Sequence, residues 1–555
     1  MDEQKKYREI PYNYTSFSDR EIILRYFDSE TWDVLNELRN KRVTGRSAKL
    51  LFEVVGDIFV IDRNPYIFND FLDNPIKQKR LKTVHNRKLA VIAKGSGDSR
   101  VKLILDRVAN KSREFFKSFK KETERRKEIS SALCKIVKKE DLFFTAFHKV
   151  FHATDATDWR VEFPEAVIYP STEDEISRIV KKVPDINMKI VPRGGGTGLT
   201  GGAVPVQRQT LVVNTERLSH ISEVTLEKSG EVEIPVVEAG AGAVTEIVTK
   251  FCKERGYIFA TDPTSSWAST IGGNIAENCG GKKAVMWGTA IDNIFSFTIV
   301  NSSGEIIEVV RKDHPHRKIN EDDQVTFNVF NKSRDGELLK TITLKGDEIR
   351  KKGVGKDITN KALGGIPGIQ KEGGDGIITS AKFVLYRPFN FSKTLCLEFY
   401  GDNLVNASKA IVAIREKFKK NKDVFLLALE HFDDKYAQAV NYKNKSARRG
   451  IPKAVLLIDL ESNDEALLNS ECNSIEQMVK QYECEGFTAK DSAEKKIFWK
   501  DRKNLGAIAR HTNAFKLNED VVIPIESLPE FADFIESLNN EKLAANNLLA
   551  LNQIK

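Results

Sequence analysis

The sequence predicts a multidomain protein joining an α/β region to an α+β region. Strand–helix–strand units read out at 166–192 and 236–260, and a glycine-rich loop is wedged between two strands at 192–202. Strands alternate with helices again beyond 390, as expected of a sheet covered on one face. A chain of 555 residues is too long for one hydrophobic core and should divide into about three or four domains.

Residues 1–125 mix helical and strand-like patterns without a chemical motif and form a first domain of unknown function; 126–158 is a helical linker leading into ATDATDWR. The next domain spans 159–389. Its first strand, AVIYP (166–170), is followed by Ser171, Thr172 and Glu175, a capping box, and then by Ile176, Ile179, Val180 and Val183 at helical spacing. Val244, Ile247, Val248 and Phe251 form a second helical stripe, ending at Gly256 where a left-handed residue is wanted. Residues 311–353 are charged and poorly periodic and read as an insertion. From 390 to 555, LCLEFY, VFLLALE and AVLLIDLE are strands separated by amphipathic helices.

At 41% apolar and 30% charged, the composition is that of an ordinary globular protein. The net charge of +8 is spread over interleaved lysine and glutamate, so RRKEISSALCKIVKKEDLFF (125–144) reads as a solvated amphipathic helix and no nucleic-acid partner is expected. The surplus is compatible with an acidic partner or an anionic membrane surface. No apolar run reaches the ~18–20 residues of a membrane span, and MDEQKKYREIPYNY lacks a signal-peptide core. Six scattered cysteines without CxxC suit a reducing compartment. The expected location is cytoplasmic, with any membrane association peripheral, on the inner face.

The loop VPRGGGTGLTGGAVP (191–205) contains GxGxxG at Gly196, Gly198 and Gly201. A Rossmann fingerprint would open a helix, but here strand-like LVVNTERL (211–218) follows. Phosphate must then be held by the backbone itself: six glycines within 194–202 let consecutive N–H groups converge as an anion-binding nest. Thr197 can add a hydroxyl, and Arg193 can add charge or pin the loop. A second cluster, DPTSSWASTIGGNIAENCGG (262–281), again permits close backbone approach at Thr270–Asn274. Two such clusters about 70 residues apart favour one extended ligand over two structural turns.

Through PRGGGTGLTGG, DPTSSWASTIGGNIAEN and QKEGGDGIIT (370–379), in that order, the chain resembles the PCMH-type FAD-binding proteins of the vanillyl-alcohol oxidase superfamily, over roughly 150–540. Within them it is similar to the D-lactate, D-2-hydroxyglutarate and glycolate dehydrogenases. The resemblance implies a two-subdomain FAD-binding fold, a ferredoxin-like α+β cap and an extra N-terminal domain. It implies a pyrophosphate cradle at Arg193, Gly194, Gly195, Gly196, Thr197 and Gly198, flanked by Pro192 and Gly201. Asp262, Pro263, Thr264 and Ser265, with Thr270, Gly272, Gly273 and Asn274, resemble segments lining flavin and diphosphate. Glu372, Gly373 and Ile378 resemble the segment along the isoalloxazine edge. Arg502 (in FWKDRKNL) matches an arginine that holds a substrate carboxylate, and Lys516 (in NAFKLNED) a lysine near the same group. No histidine or cysteine adjoins the first loop, so FAD should be noncovalent.

The implied reaction is oxidation of a D-lactate-like 2-hydroxy acid to the 2-oxo acid, with hydride passing to flavin N5 and electrons to a quinone, cytochrome or iron–sulfur partner. The family's GSEGTLGI is QKEGGDGI here. Its GDGNxH segment and iron–sulfur cysteine motifs do not occur in these 555 residues. The expectation is therefore a truncated or split form whose activity depends on segments supplied by another chain. A noncatalytic FAD-binding subunit and a flavin reductase resembling UDP-N-acetylenolpyruvoylglucosamine reductase stay open as alternatives. His431, just after a strand, could reach a site at a sheet edge, and His511 lies between Arg502 and Lys516; each is otherwise a histidine at the surface or one layer behind a site. No histidine pair has metal spacing, so no metal is expected.

Overall fold

The computed structural model describes residues 18–554 apart from 42–43, 96, 158, 335, 351–364, 420, 501 and 503–521. It divides into two units, 1–217 and 218–555.

The first unit opens with six helices: α1 (Asp19–Tyr26), α2 (Ser29–Arg39), α3 (Gly45–Arg63), α4 (Pro65–Leu72), α5 (Pro75–Gly95) and α6 (Ser99–Leu133). No strand occurs among the described residues of this stretch, where the sequence suggested a mixture. The apolar stripes of α3 (Leu51, Val54, Val55, Ile58) and α6 (Ile104, Val108, Phe115, Phe119) share one core. Helix α6 then continues to a small sheet, where Arg125 clamps Glu165 with two bonds of 3.0 Å and donates to the Ile186 carbonyl at 2.8 Å.

That sheet comprises β1 (Leu142–Phe143), β2 (Ala166–Ile168), β3 (Lys189–Arg193) and β4 (Thr210–Asn214) in the order β1-β2-β4-β3. The last three are parallel, which is why β2 and β4 are buried along their whole length. Helix α7 (Ala146–Phe151) follows β1, and α8 (Glu173–Lys182) follows β2. The predicted cap of α8 forms: Thr172 Oγ1 accepts from Glu175 N at 3.2 Å, and the Glu175 carboxylate accepts from Ser171 N at 2.6 Å.

The second unit begins with β5 (Thr225–Ser229), β6 (Val232–Gly240), α9 (Thr245–Glu254), β7 (Ile258–Phe259), α10 (Ile271–Ala276), α11 (Ala284–Trp287) and α12 (Ala290–Asn293). It continues through β8 (Ile294–Asn301), β9 (Ile306–Lys312), β10 (Gln324–Asn331), β11 (Glu337–Lys345), α13 (Gly346–Ile349) and β12 (Gly376–Tyr386). These strands form an antiparallel sheet ordered β11-β10-β9-β8-β12-β6-β5, with β7 also paired to β12. The charged stretch 311–353 thus contributes two strands to this sheet. Val325, Phe327 and Val329 alternate inward along β10, a period of two masked in sequence by the intervening polar residues.

The remaining elements are β13 (Phe391–Phe399), α14 (Val405–Lys419), β14 (Val424–Asp433), α15 (Asp434–Ala439), β15 (Ala454–Ser462), α16 (Glu465–Val479), β16 (Cys484–Thr488), α17 (Ser492–Lys500) and α18 (Leu528–Ile554). The antiparallel order β14-β15-β13-β16, with α14 and α16 in the crossovers, is the βαββαβ pattern of a ferredoxin-like layer. Leu456, Ile458 and Leu460 of β15 pack with α14 and α16 on one face. Val455 and Leu457 point to the other, with Phe498 and Trp499 of α17. Among the described residues no helix is long and apolar enough to cross a membrane.

Candidate flavin and substrate site

The glycine loop leaves β3 and enters β4 without an intervening helix, as the sequence requires. Gly196 has φ +63° and Gly201 φ +84°, conformations that side chains with a Cβ disfavour. A Cβ on Gly196 would lie 2.2 Å from Arg193 Nη2, so this glycine also makes room for the arginine. Arg193 is buried and turned inward: Nη1 donates to the Thr154 carbonyl at 2.7 Å, and the guanidinium lies 5.9 Å from the centre of the Phe151 ring. Burial lowers its proton affinity, and Asp155 opposes that shift. Of the two roles open to it, this geometry is that of a pin at the loop's root.

A histidine that the sequence did not single out holds the other end. His152 is fully buried behind α7, with Nδ1 2.8 Å from the His148 carbonyl and Nε2 3.0 Å from Asn214 Nδ2. Nδ1 therefore carries the proton and Nε2 accepts, and Tyr169 Oη lies 3.3 Å from the same nitrogen. Burial pushes the His152 pKa down to about 4. Asn214 in turn accepts from Glu216 N at 2.9 Å, and Thr215 N donates to the Arg193 carbonyl at 2.9 Å. Residues 152–154 thus fix both strands flanking the loop.

In the second unit, residues 262–281 form a turn and the short helix α10. Asn274 donates to Thr245 Oγ1 at 2.9 Å, tying α10 to the start of α9. Gly272 and Gly273 differ. A Cβ on Gly272 would meet Ala241 Cβ at 2.8 Å, whereas one on Gly273 would meet nothing nearer than Thr270 Oγ1 at 3.5 Å. Gly272 serves close packing, while Gly273 leaves space open to a ligand. The hydroxyls of Thr261 and Thr270 are buried without a partner among the described residues. Asp262 accepts from Lys283 N at 3.2 Å; burial raises its pKa to about 6 despite Lys283 and Lys282 nearby.

The third segment lies against the second. Gln370 N donates to the Ile275 carbonyl at 3.2 Å and Glu372 N to the Ala276 carbonyl at 3.0 Å, with Gln370, Glu372 and Gly373 all at positive φ. Ile378 is buried in β12 opposite Ile299.

Arg502 joins the cap to this region. Its Nε is paired with Glu430 of β14, and its Nη1 donates to Thr264 Oγ1 at 3.2 Å. Lys516 and His511 lie outside the described residues. His431 sits on β14, an edge strand, in register with Leu456, and so belongs to the face packed by α14 and α16; Glu430, in register with Leu457, belongs to the opposite face. The structure therefore separates His431 from Arg502. The His431 Nε2 is buried without a partner among the described residues, and burial lowers its pKa.

The Glu430 face carries a row of carboxylates embedded in apolar strands. Asp459 is fully buried and accepts from Trp499 Nε1 at 3.0 Å and from Thr394 Oγ1. Lys282 Nζ lies 3.2 Å from it and Lys495 Nζ 3.5 Å. Burial would raise its pKa, but the two lysines and the two hydrogen bonds outweigh that and hold the carboxylate below its usual range. On Glu461, two residues along, burial wins and the pKa rises.

Residues 164–310 match the family described as FAD binding domain, and residues 402–549 that described as FAD linked oxidases, C-terminal domain. Residues 5–120 match a family described only as a protein of unknown function, DUF3683. The chain belongs to the PCMH-type FAD-binding oxidoreductases. It is related to their D-lactate, glycolate and D-2-hydroxyglutarate branch and carries an extra N-terminal domain. The glycolate oxidase subunit GlcD of Bacillus subtilis is 32% identical over 181 residues, covering 33% of this chain and 37% of that protein. A D-lactate dehydrogenase of Archaeoglobus fulgidus is 34% identical over 143 residues, 26% of this chain and 30% of that one. A mitochondrial D-2-hydroxyglutarate dehydrogenase of Arabidopsis thaliana is 22% identical over 383 residues, 68% and 58% respectively. The chain spans less than two thirds of each of these relatives.

The cofactor is FAD, held noncovalently. Each unit by itself holds residues that fit it: in the first, a loop whose Gly196 and Gly201 take left-handed backbone; in the second, open space at Gly273 and the Thr261 and Thr270 hydroxyls, unpartnered among the described residues.

Proposed function

We propose that the chain takes part in oxidation of a 2-hydroxy acid of the D-lactate type to its 2-oxo acid. Bound FAD supplies the hydride acceptor, and the electrons pass on to a quinone, cytochrome or iron–sulfur partner. The observation that carries this reading is the position of Arg502, a cap residue reaching Thr264 of the second flavin segment. Glu430 fixes Nε and Thr264 one hydrogen of Nη1, which among the described residues leaves the outer edge of the guanidinium for a substrate carboxylate. Holding the carboxylate there would orient the Cα–H for transfer, with Lys516 as a second cation.

Anaerobic mixing of the yellow protein with D-lactate, D-2-hydroxyglutarate and glycolate, followed at the flavin absorbance, tests the proposal. Bleaching by the chain alone should be slow or absent, because the GDGNxH segment does not occur in these 555 residues. Oxalate, an unreactive carboxylate, should perturb the flavin spectrum. Arg502→Lys should weaken oxalate binding by roughly 1.5–3 kcal/mol, the scale of a charge-assisted hydrogen bond, without releasing FAD. No bleaching by any of the three acids, together with oxalate binding unchanged in Arg502→Lys, would leave a noncatalytic flavin-binding chain as the better reading.

A further inference from the structure

The N-terminal helical region holds a surface that the flavin chemistry does not use. Helix α5 has 21 residues, of which seven are lysine or arginine and none is aspartate or glutamate. Its inward face is anchored by His85, fully buried, with Nδ1 3.0 Å from Ser112 Oγ on α6 and Nε2 3.3 Å from Asp57 Oδ2 on α3. Ile92 is buried on the same side. Two of the cations are neutralised locally, Lys77 by Asp70 and Lys88 by Glu53 and Asp57. The other five, Lys79, Arg80, Lys82, Arg87 and Lys94, are exposed and form no ion pair among the described residues.

Between these cations, aliphatic side chains also face outward: Ile76 is 66% exposed, Val84 45% and Val91 47%. Spacings of eight and seven residues place the three within one sector of about 80° along a helix roughly 30 Å long. Arg80, Arg87 and Lys94 fall in the same sector, and Lys79 and Lys82 flank it on one side. A row of branched aliphatics among unpaired cations, on a helix pinned by its opposite face, matches the chemistry of a lipid headgroup layer. There the cations meet phosphates and the aliphatics reach the acyl boundary. A nucleic-acid backbone would use the cations and gain nothing from the valines.

We infer that α5 is a membrane-docking helix, which lays its outer face on an anionic phospholipid surface and brings the flavoprotein to the bilayer. The inference stands apart from the proposed hydroxy-acid chemistry: it concerns other residues and is tested without turnover.

The test is co-sedimentation of the full-length, FAD-loaded chain with vesicles of phosphatidylcholine alone or of phosphatidylcholine with phosphatidylglycerol. Binding to the anionic vesicles only, weakened by salt, is expected. The combined variant Lys79→Gln, Arg80→Gln, Lys82→Gln, Arg87→Gln should lose roughly tenfold or more in partitioning, while its circular dichroism and flavin content stay as in the parent. Val84→Ser with Val91→Ser should weaken the binding that remains at high salt. All substituted positions are exposed, and the two halves of the charge variant, made separately, should each give an intermediate loss. Equal partitioning of parent and charge variant would overturn the inference, as would binding to neither vesicle. Tighter binding to a DNA duplex than to vesicles, with the serine variant unaffected, would assign the helix to nucleic acid instead.

Discussion

At the residue scale, the glycine loop depends on a few side chains beneath it. Gly196→Val would place a β-branched residue at φ +63°, where a left-handed backbone costs ~1–2 kcal/mol, and drive its Cβ into Arg193. The variant should purify with normal helical content but without FAD; stoichiometric flavin in it would detach the loop from the site. His152 gives the loop a pH dependence. Its folded pKa of about 4 is below the unfolded value near 6.5, so the folded state refuses a proton that the unfolded chain accepts. Stability is therefore highest above pH ~6.5 and falls as the pH drops toward 4, by up to roughly 3 kcal/mol over that window. The temperature at which flavin fluorescence is released should fall between pH 7 and 5 in the parent. In His152→Gln it should be lower at pH 7 but should fall less on acidification. Equal slopes would exclude His152 as the titrating group.

At the element scale, the sequence was legible wherever periodicity and capping act within one segment. Thr172 and Glu175 announce the start of α8, and the absence of a helix after Gly202 separated this loop from a Rossmann turn. The β10–β11 hairpin was hidden because its inward residues alternate with threonine and asparagine inside a charged stretch, although Val325, Phe327 and Val329 keep strict alternation. Phe327→Ala should cost about 3–5 kcal/mol in urea unfolding of the sheet, while Leu338→Ala, at an exposed position of β11, should change it by less than ~0.5 kcal/mol. A hairpin that merely decorates the domain would give small values for both. His152 was not legible at all, because its partners, Tyr169 just past β2 and Asn214 on β4, stand 17 and 62 residues away.

At the scale of the whole second unit, an ion pair that no local pattern reveals bridges the 262–283 segment and the cap. Glu398, Asp459 and Glu461 are visible in sequence as carboxylates in apolar strands, but nothing in those strands says that Lys282, 177 residues before Asp459, will meet one of them. Lys282 also lies 4.4 Å from the Trp499 ring, so one side chain contacts both a cap strand and a cap helix. Asp459 is the buried partner and Lys282 the partly exposed one, which makes the two ends unequal. Asp459→Ala strands the Trp499 and Thr394 donors and two ammonium groups, and should cost about 3–5 kcal/mol. Lys282→Met leaves Asp459 with Lys495, Trp499 and Thr394, and should cost only ~1 kcal/mol, since the exposed end is screened. Because the Asp459 pKa is held down, the pair persists through neutral pH and is lost only as the pH falls through that lowered value. If the pair couples cap to flavin segment, amide exchange in Lys282→Met at pH 7 should quicken in both 262–283 and β15. Its effect and that of Asp459→Ala should combine non-additively, by ~0.5–3 kcal/mol. Faster exchange confined to 262–283, with additive energies, would show that the two parts are held together by packing and that this ion pair is incidental to it.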